Sequence, residues 1–157
     1  MEEKTNVCRL LDQKKIKYIQ HFYDSNEALS GTEVAAVLNQ DPAKVFKTLV
    51  TVSKTGKNYV FVIPVECGLD LKKAAKAVGE KAVTMLPSKE LLPLTGYIHG
   101  GCSPIGMKKF FPTTFHRTAA DYDTIMFSAG KIGYQIEMPL CSLDKIIRYK
   151  TADIVAD

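Results

Sequence analysis

Two strand-like runs in the first half of the chain constrain its fold more than any other feature. Val45-Phe46-Lys47-Thr48-Leu49-Val50-Thr51-Val52 is largely apolar and β-branched, and Tyr59-Val60-Phe61-Val62-Ile63 is more so. Residues of this kind favour a pleated, half-buried surface. A short polar stretch with a Gly56-Lys57 turn separates the runs, which predicts an antiparallel hairpin. A hairpin at this place argues against a purely parallel, doubly wound sheet, whose strands need long crossovers.

Helix signals alternate with further strand signals around the hairpin. Thr5 caps a first helix running to about Lys15, with Val7, Leu10 and Leu11 on one stripe. Lys17 to Tyr23 reads as a strand. Ser30-Gly31-Thr32-Glu33 is a capping box for a second helix that buries Val34, Val37 and Leu38. Asp41-Pro42 starts a short helical turn. Asp70 caps a helix to about Val78, with Gly79 as its stop. Val83 to Leu86 is a short strand, and Ser88 opens a short helix. Asp123 to Ser128 and Tyr134 to Met138 are strands joined across Ala129-Gly130-Lys131-Ile132-Gly133, and Ser142 caps a last helix to about Tyr149. The expectation is an α/β fold of the mixed α+β kind, with helices packed around a mixed sheet. No linker, repeat or low-complexity segment divides the 157 residues, so residues 1–157 read as one domain.

Composition narrows the class. Hydrophobic residues make up 46% and charged residues 24%, as in ordinary globular proteins. No apolar run approaches the roughly 20 residues of a membrane-spanning helix. Met1-Glu2-Glu3-Lys4-Thr5 lacks the basic-then-apolar order of a secretory signal, so the cytoplasm is the expected address. Cys8, Cys67, Cys102 and Cys141 stand singly, as do His21, His99 and His116, and this pattern points to free thiols and no metal site. A net charge of +4 fits a polyanionic partner without requiring one.

Three features carry candidate chemistry. Lys47 interrupts an apolar strand, and a buried ammonium is costly unless it has partners or a wet cleft. An edge-strand lysine with its stem packed and its head in water is the alternative. Gly100-Gly101-Cys102-Ser103-Pro104-Ile105-Gly106 reads as either a turn needing positive φ or a nest of outward amides that binds an oxyanion. Ser128 ends a strand, where it caps a turn or orients a ligand. Lys72, Lys73 and Lys76 lie on one predicted helix, as a solvated face or as a patch that tracks phosphates. No Ser-His-Asp or Cys-His signature of an activated nucleophile is present.

Taken in order, Val45-Phe46-Lys47-Thr48-Leu49, Leu69 to Gly79, Thr95 to Gly106 and Gln135-Ile136-Glu137 resemble the YbaK/EbsC group of aminoacyl-tRNA deacylases. That group shares its domain with the editing insertion of bacterial prolyl-tRNA synthetase, and the resemblance covers nearly the whole chain. It implies a mixed, barrel-like sheet surrounded by helices, no metal and no cofactor. It implies removal of cysteine mischarged on tRNA(Pro), in which the substrate thiol attacks its own ester carbonyl and expels the tRNA. By matching position Lys47 is the essential lysine. Gly100 and Gly101 bring backbone amides to the ester or ribose, Ser103 and Pro104 shape the loop, and Ser128, Thr48 and Tyr23 line the pocket. Lys72, Lys73 and Lys76 would contact tRNA near its acceptor end, with prolyl-tRNA synthetase a further partner. Leu29 stands where some members carry phenylalanine, and Gln135 where some carry aspartate. An alanine-specific or broader deacylase remains an alternative, as does a non-catalytic module that binds tRNA or prolyl-tRNA synthetase.

Overall fold

The computed structural model describes residues 4–24 and 29–157. Among these, the elements run α1 (Asn6–Gln13), β1 (Ile19–Phe22), α2 (Gly31–Val37), β2 (Phe46–Ser53), β3 (Asn58–Pro64), α3 (Leu71–Val78), β4 (Val83–Met85), α4 (Ser88–Thr95), β5 (Thr113–His116), β6 (Ile125–Lys131), β7 (Tyr134–Met138) and β8 (Tyr149–Ala152). Short 3-10 helices occupy Pro42–Lys44, Arg117–Asp121 and Leu140–Lys145.

The helix boundaries follow from the predicted caps. The Cys8 N–H donates to Thr5 Oγ1, and Ser30 and Glu33 satisfy each other's backbone donors in a full capping box. Asp70 Oδ1 accepts from the Lys72 and Lys73 amides, and Gly79 closes α3 at φ 75°. Caps of this kind stabilise a helix by about 1 kcal/mol each. One detail differs: Val37, expected on the buried face of α2, is 59% exposed.

β2 and β3 form the expected antiparallel hairpin, from Phe46 opposite Pro64 to Val52 opposite Asn58. They lie inside a five-stranded sheet ordered β4-β2-β3-β5-β8, in which β5 and β8 join parallel. The sheet is therefore mixed. A second, antiparallel sheet is ordered β1-β7-β6. A single parallel bridge, Val45 to Met126, ties the two sheets together. The mixed α/β class holds, but the barrel-like sheet does not. Closure requires every edge strand to find a neighbour, and β1, β4 and β8 remain edges.

The C-terminal region departs from expectation. Leu140–Lys145 is a 3-10 helix without a side-chain cap, and Tyr149 begins a strand instead of ending a helix. Pairing decides this: Tyr149 sits opposite Thr113 of β5, and its ring packs edge-on against Phe115 at 5.5 Å.

The centre of the five-stranded sheet is buried on both faces. Phe46, Val50, Val60, Val62 and Phe115 meet Ile125, Phe127, Ile136 and Met138 of the other sheet, with Val7, Cys8 and Leu11 of α1 in the same cluster. Tyr59, Phe61 and Ile63 point the other way and are covered by Ala74 and Ala75 of α3. A third small cluster joins Ala35 of α2 to Val45, Val65 and Met126. This last cluster sits beside the bridge between the sheets, where the candidate site opens.

Candidate active site

Beside the Val45–Met126 bridge, a cleft of about 190 Å³ is lined by residues of both sheets. β2 lines it with Phe46 to Leu49, and the other sheet contributes Ser128 and Gln135. The first turn of α2, Leu91 of α4, and His99, Gly100 and Cys102 of the glycine loop complete the walls, with Tyr23 and Leu29. The volume is below the roughly 300–1,000 Å³ of pockets for drug-sized ligands, so it suits a small acyl group.

Lys47 lies here, half-buried. β4 pairs with β2 only at Thr51 to Ser53, so the stretch carrying Lys47 has a single ladder neighbour, β3, and borders the cleft instead of an outer sheet edge. The Lys47 ammonium makes no hydrogen bond or ion pair with any described residue, while the Lys47 backbone pairs with Ile63 of β3. Its charge does reach Cys67: burial raises that thiol's pKa and the Lys47 ammonium opposes the rise.

Among the described residues, four buried side-chain polar atoms have no protein partner, and two of them belong to residues lining this cleft: Thr48 Oγ1 and Gln135 Oε1. The Thr114 and Thr118 hydroxyls lie elsewhere. Burying such an atom unpaired costs about 1–3 kcal/mol. Gln135 sits directly opposite Ser128 across the β6–β7 pairing. Ser128 Oγ accepts the Gly130 N–H at 3.1 Å, and its own proton is left to donate. Cys102 is 8% exposed, and burial pushes its thiol pKa up to about 12. It remains protonated and is a poor nucleophile.

The glycine loop is a pinned turn. The Gly101 N–H donates to the Ile98 carbonyl at 3.0 Å, and Gly100, third in that turn, has φ 88°. A positive φ at this place is what a type II turn requires. Gly101 does not line the cleft and its amide is occupied by the turn; a Cβ there would stand 3.2 Å from the Ile132 backbone nitrogen. Ser103 is fully buried, its Oγ accepting the Ile105 N–H, and Tyr97 donates its hydroxyl to the Ile105 carbonyl. Ser103 and Pro104 thus shape the loop from behind the cleft wall.

The structure therefore brings Lys47, Thr48, Tyr23, Gly100 and Ser128 together around one cleft. Gly101, Ser103 and Pro104 stand behind it, and Lys72, Lys73 and Lys76 do not line it. Lys73 is committed to the C-terminal segment through Asp153, Asp157 and the Val155 carbonyl. Lys72 and Lys76 are exposed. Gln135 and His99 also line the cleft; the sequence marks Gln135 only as a departure from an aspartate of the family, and His99 only as an isolated histidine. The unsatisfied Gln135 is a signal of burial, and burial of a lone polar residue in a strand is settled only by tertiary packing.

A half-buried carboxylate anchors the sheet behind the site. Glu137 bonds His21 at 2.9 Å, Lys44 at 3.0 Å and the Thr124 hydroxyl at 2.5 Å. Burial pushes its pKa up, but the Thr124, His21 and Lys44 contacts together outweigh that and hold it at about 2. Lys44 ends the 3-10 helix just before β2, so this cluster ties the start of β2 to β1, β6 and β7.

Residues 26–146 match the aminoacyl-tRNA editing domain family, and the chain belongs to that family. It is 49% identical over 138 residues to a protein of Enterococcus faecalis (strain ATCC 700802 / V583) named as a candidate Cys-tRNA(Pro)/Cys-tRNA(Cys) deacylase, EbsC, covering 87% of this chain and 84% of the relative. The crystal structure of a candidate trans-editing enzyme for prolyl tRNA synthetase superposes with a TM-score of 0.78 at 21% identity, covering 99% of this chain and all of that one. The crystal structure of the hypothetical protein APE2540 gives a TM-score of 0.83 at 20% identity, covering 98% of this chain and all of that one. At these identities the two structures speak for the fold alone.

Proposed function

We propose that this chain removes cysteine mischarged on tRNA(Pro). The observation that carries the reading is Lys47, half-buried in a cleft of about 190 Å³ and without a carboxylate partner among the described residues. The name carried by the 49% identical relative supports the choice of cysteine.

The cleft offers polarisation but no activated nucleophile. Ser128 has no histidine bonded to it, and Cys102 is held protonated. The attacking group is then the substrate's own thiol. The protein's share is to bring thiol and carbonyl into near-attack geometry and to stabilise the negative charge that develops on the carbonyl oxygen. Lys47 faces that oxygen, and its ammonium acts most strongly with water excluded. Thr48, Ser128 and Gln135 hold the polar groups of the aminoacyl moiety, filling the bonds that Thr48 Oγ1 and Gln135 Oε1 lack within the protein. Tyr23 and the Gly100 turn close the sides.

A cleft this small reads the amino acid and not the tRNA. The relative's name spans two tRNAs carrying one amino acid, which fits that division of labour. The tRNA body stays outside, near exposed Lys72 and Lys76, and prolyl-tRNA synthetase is the partner that would narrow the choice of tRNA. The test compares release of cysteine, alanine and serine from the same tRNA(Pro). Selective release of cysteine supports the reading. Loss of alanine and serine at the same rate refutes thiol assistance, because neither side chain carries a thiol.

A further inference from the structure

His99 has no place in the chemistry so far, yet it lines the cleft. The buried lining residues, Ser128, Gln135 and Cys102 among them, form the floor. His99 and Ser30 line the same cleft from exposed positions and therefore stand at its mouth. Ser30 is committed as the cap of α2, accepting the Glu33 N–H. His99 makes no hydrogen bond or ion pair with any described residue. Its place is nevertheless fixed, because it occupies the second position of the turn closed by Ile98 and Gly101. The tight approach of Gly101 to Ile132 pins that turn against the β6–β7 connection.

Size dictates what meets His99. A cleft of about 190 Å³ accommodates an aminoacyl group, and with that group inside, the ribose that carries it lies toward the mouth. We propose that His99 is the proton carrier of the reaction, taking the proton of the substrate thiol and delivering it to the departing ribose oxygen. The proposal rests on the deacylase reading above. The thiol sulfur bonds to the carbonyl carbon, the carbon–oxygen bond to the ribose breaks, and the electron pair of that bond stays on the ribose oxygen. The proton from sulfur ends on that oxygen. The products are a four-membered thiolactone and a free tRNA hydroxyl; nothing is oxidised or reduced, and water opens the thiolactone afterwards.

The other titratable groups of the cleft suit this task less well. Imidazole as a chemical group both accepts and gives a proton readily in water, which a phenol or an ammonium does less well. Cys102 keeps its proton, with its pKa at about 12. The turn packed against the His99 loop carries Lys131, and α4 carries Lys89 and Glu90.

The experiment uses single-turnover release of cysteine from Cys-tRNA(Pro) across a pH series, with wild type, His99→Gln and His99→Ala. General acid–base catalysis is worth about 10²–10⁴-fold. The expected result is a loss of at least ~10²-fold in His99→Gln with its melting temperature unchanged, disappearance of one ionisation from the pH profile, and partial rescue of His99→Ala by added imidazole. Unchanged rates in both variants would overturn the proposal, and so would a loss that keeps the wild-type pH profile and resists imidazole. A wild type that accelerates nothing would overturn the deacylase reading itself, and the proposal with it.

Discussion

Replacing Glu137 by glutamine removes the negative charge that holds β1, β6, β7 and the start of β2 together. The Glu137 side chain is 14% exposed and Lys44 21%, so solvent screens the pair only in part. A carboxyl held at about 2 instead of its ordinary 4.5 corresponds to a ceiling of roughly 3 kcal/mol. Glutamine keeps the shape and can still accept from Thr124, so a loss of about 2 kcal/mol is expected. The sign follows from the lowered pKa. The contribution is fully present above the unfolded-state value near 4.5 and fades as pH falls toward about 2. Urea denaturation of wild type and Glu137→Gln at pH 7, 4.5 and 3 reads this directly. The gap between the two proteins should be widest at pH 7 and shrink at pH 3. A gap that is absent at pH 7, or that stays constant with pH, would show that the Glu137 charge does not hold these strands together.

Three further outcomes follow from the site. Thr48→Val should leave stability unchanged or raise it by about 1 kcal/mol, because an unpaired buried hydroxyl is removed, while slowing single-turnover deacylation; lower stability with full activity would contradict this. Gly101→Ala should lower the melting temperature, since the new Cβ meets backbone atoms of Ile132 and Lys131 at 3.2–3.4 Å, and a variant as stable as wild type would show that the turn is not pinned there. Lys72→Ala and Lys76→Ala should each flatten the salt dependence of RNA binding by roughly 0.7–0.9 in log–log slope, whereas Lys73→Ala should cost stability and leave binding unchanged; fluorescence anisotropy against salt concentration separates the two.

Much of the fold was legible because its signals are local. Thr5, the Ser30–Glu33 box and the Asp70–Gly79 pair each satisfy helix ends within a few residues of themselves. The β2–β3 hairpin likewise needs only neighbours in sequence. β5 and β8 were missed because each is four residues long and exists through parallel pairing with distant chain, β5 on β3 and β8 on β5. Tyr149 illustrates the point: nothing beside it in sequence opposes a helix, but Phe115 and Thr113 place it in a sheet. The site divides the same way. Lys47 stands out because a cation in an apolar strand contradicts its surroundings, and Gly100 because its turn needs positive φ. His99 looks ordinary in sequence and Gln135 shows only as a departure from an aspartate of the family, and the meeting of two sheets brings both to the cleft.

The proposed reaction needs Lys47 to stabilise charge on the ester carbonyl inside this cleft, and single-turnover release of cysteine from Cys-tRNA(Pro) by wild type and by Lys47→Ala measures that need. Removing one preorganised group that stabilises the developing oxyanion costs about 10²–10³-fold, so wild type should release cysteine fast and the variant should lose a factor of that size, with folding intact. Release at the wild-type rate by a folded Lys47→Ala protein would contradict that need.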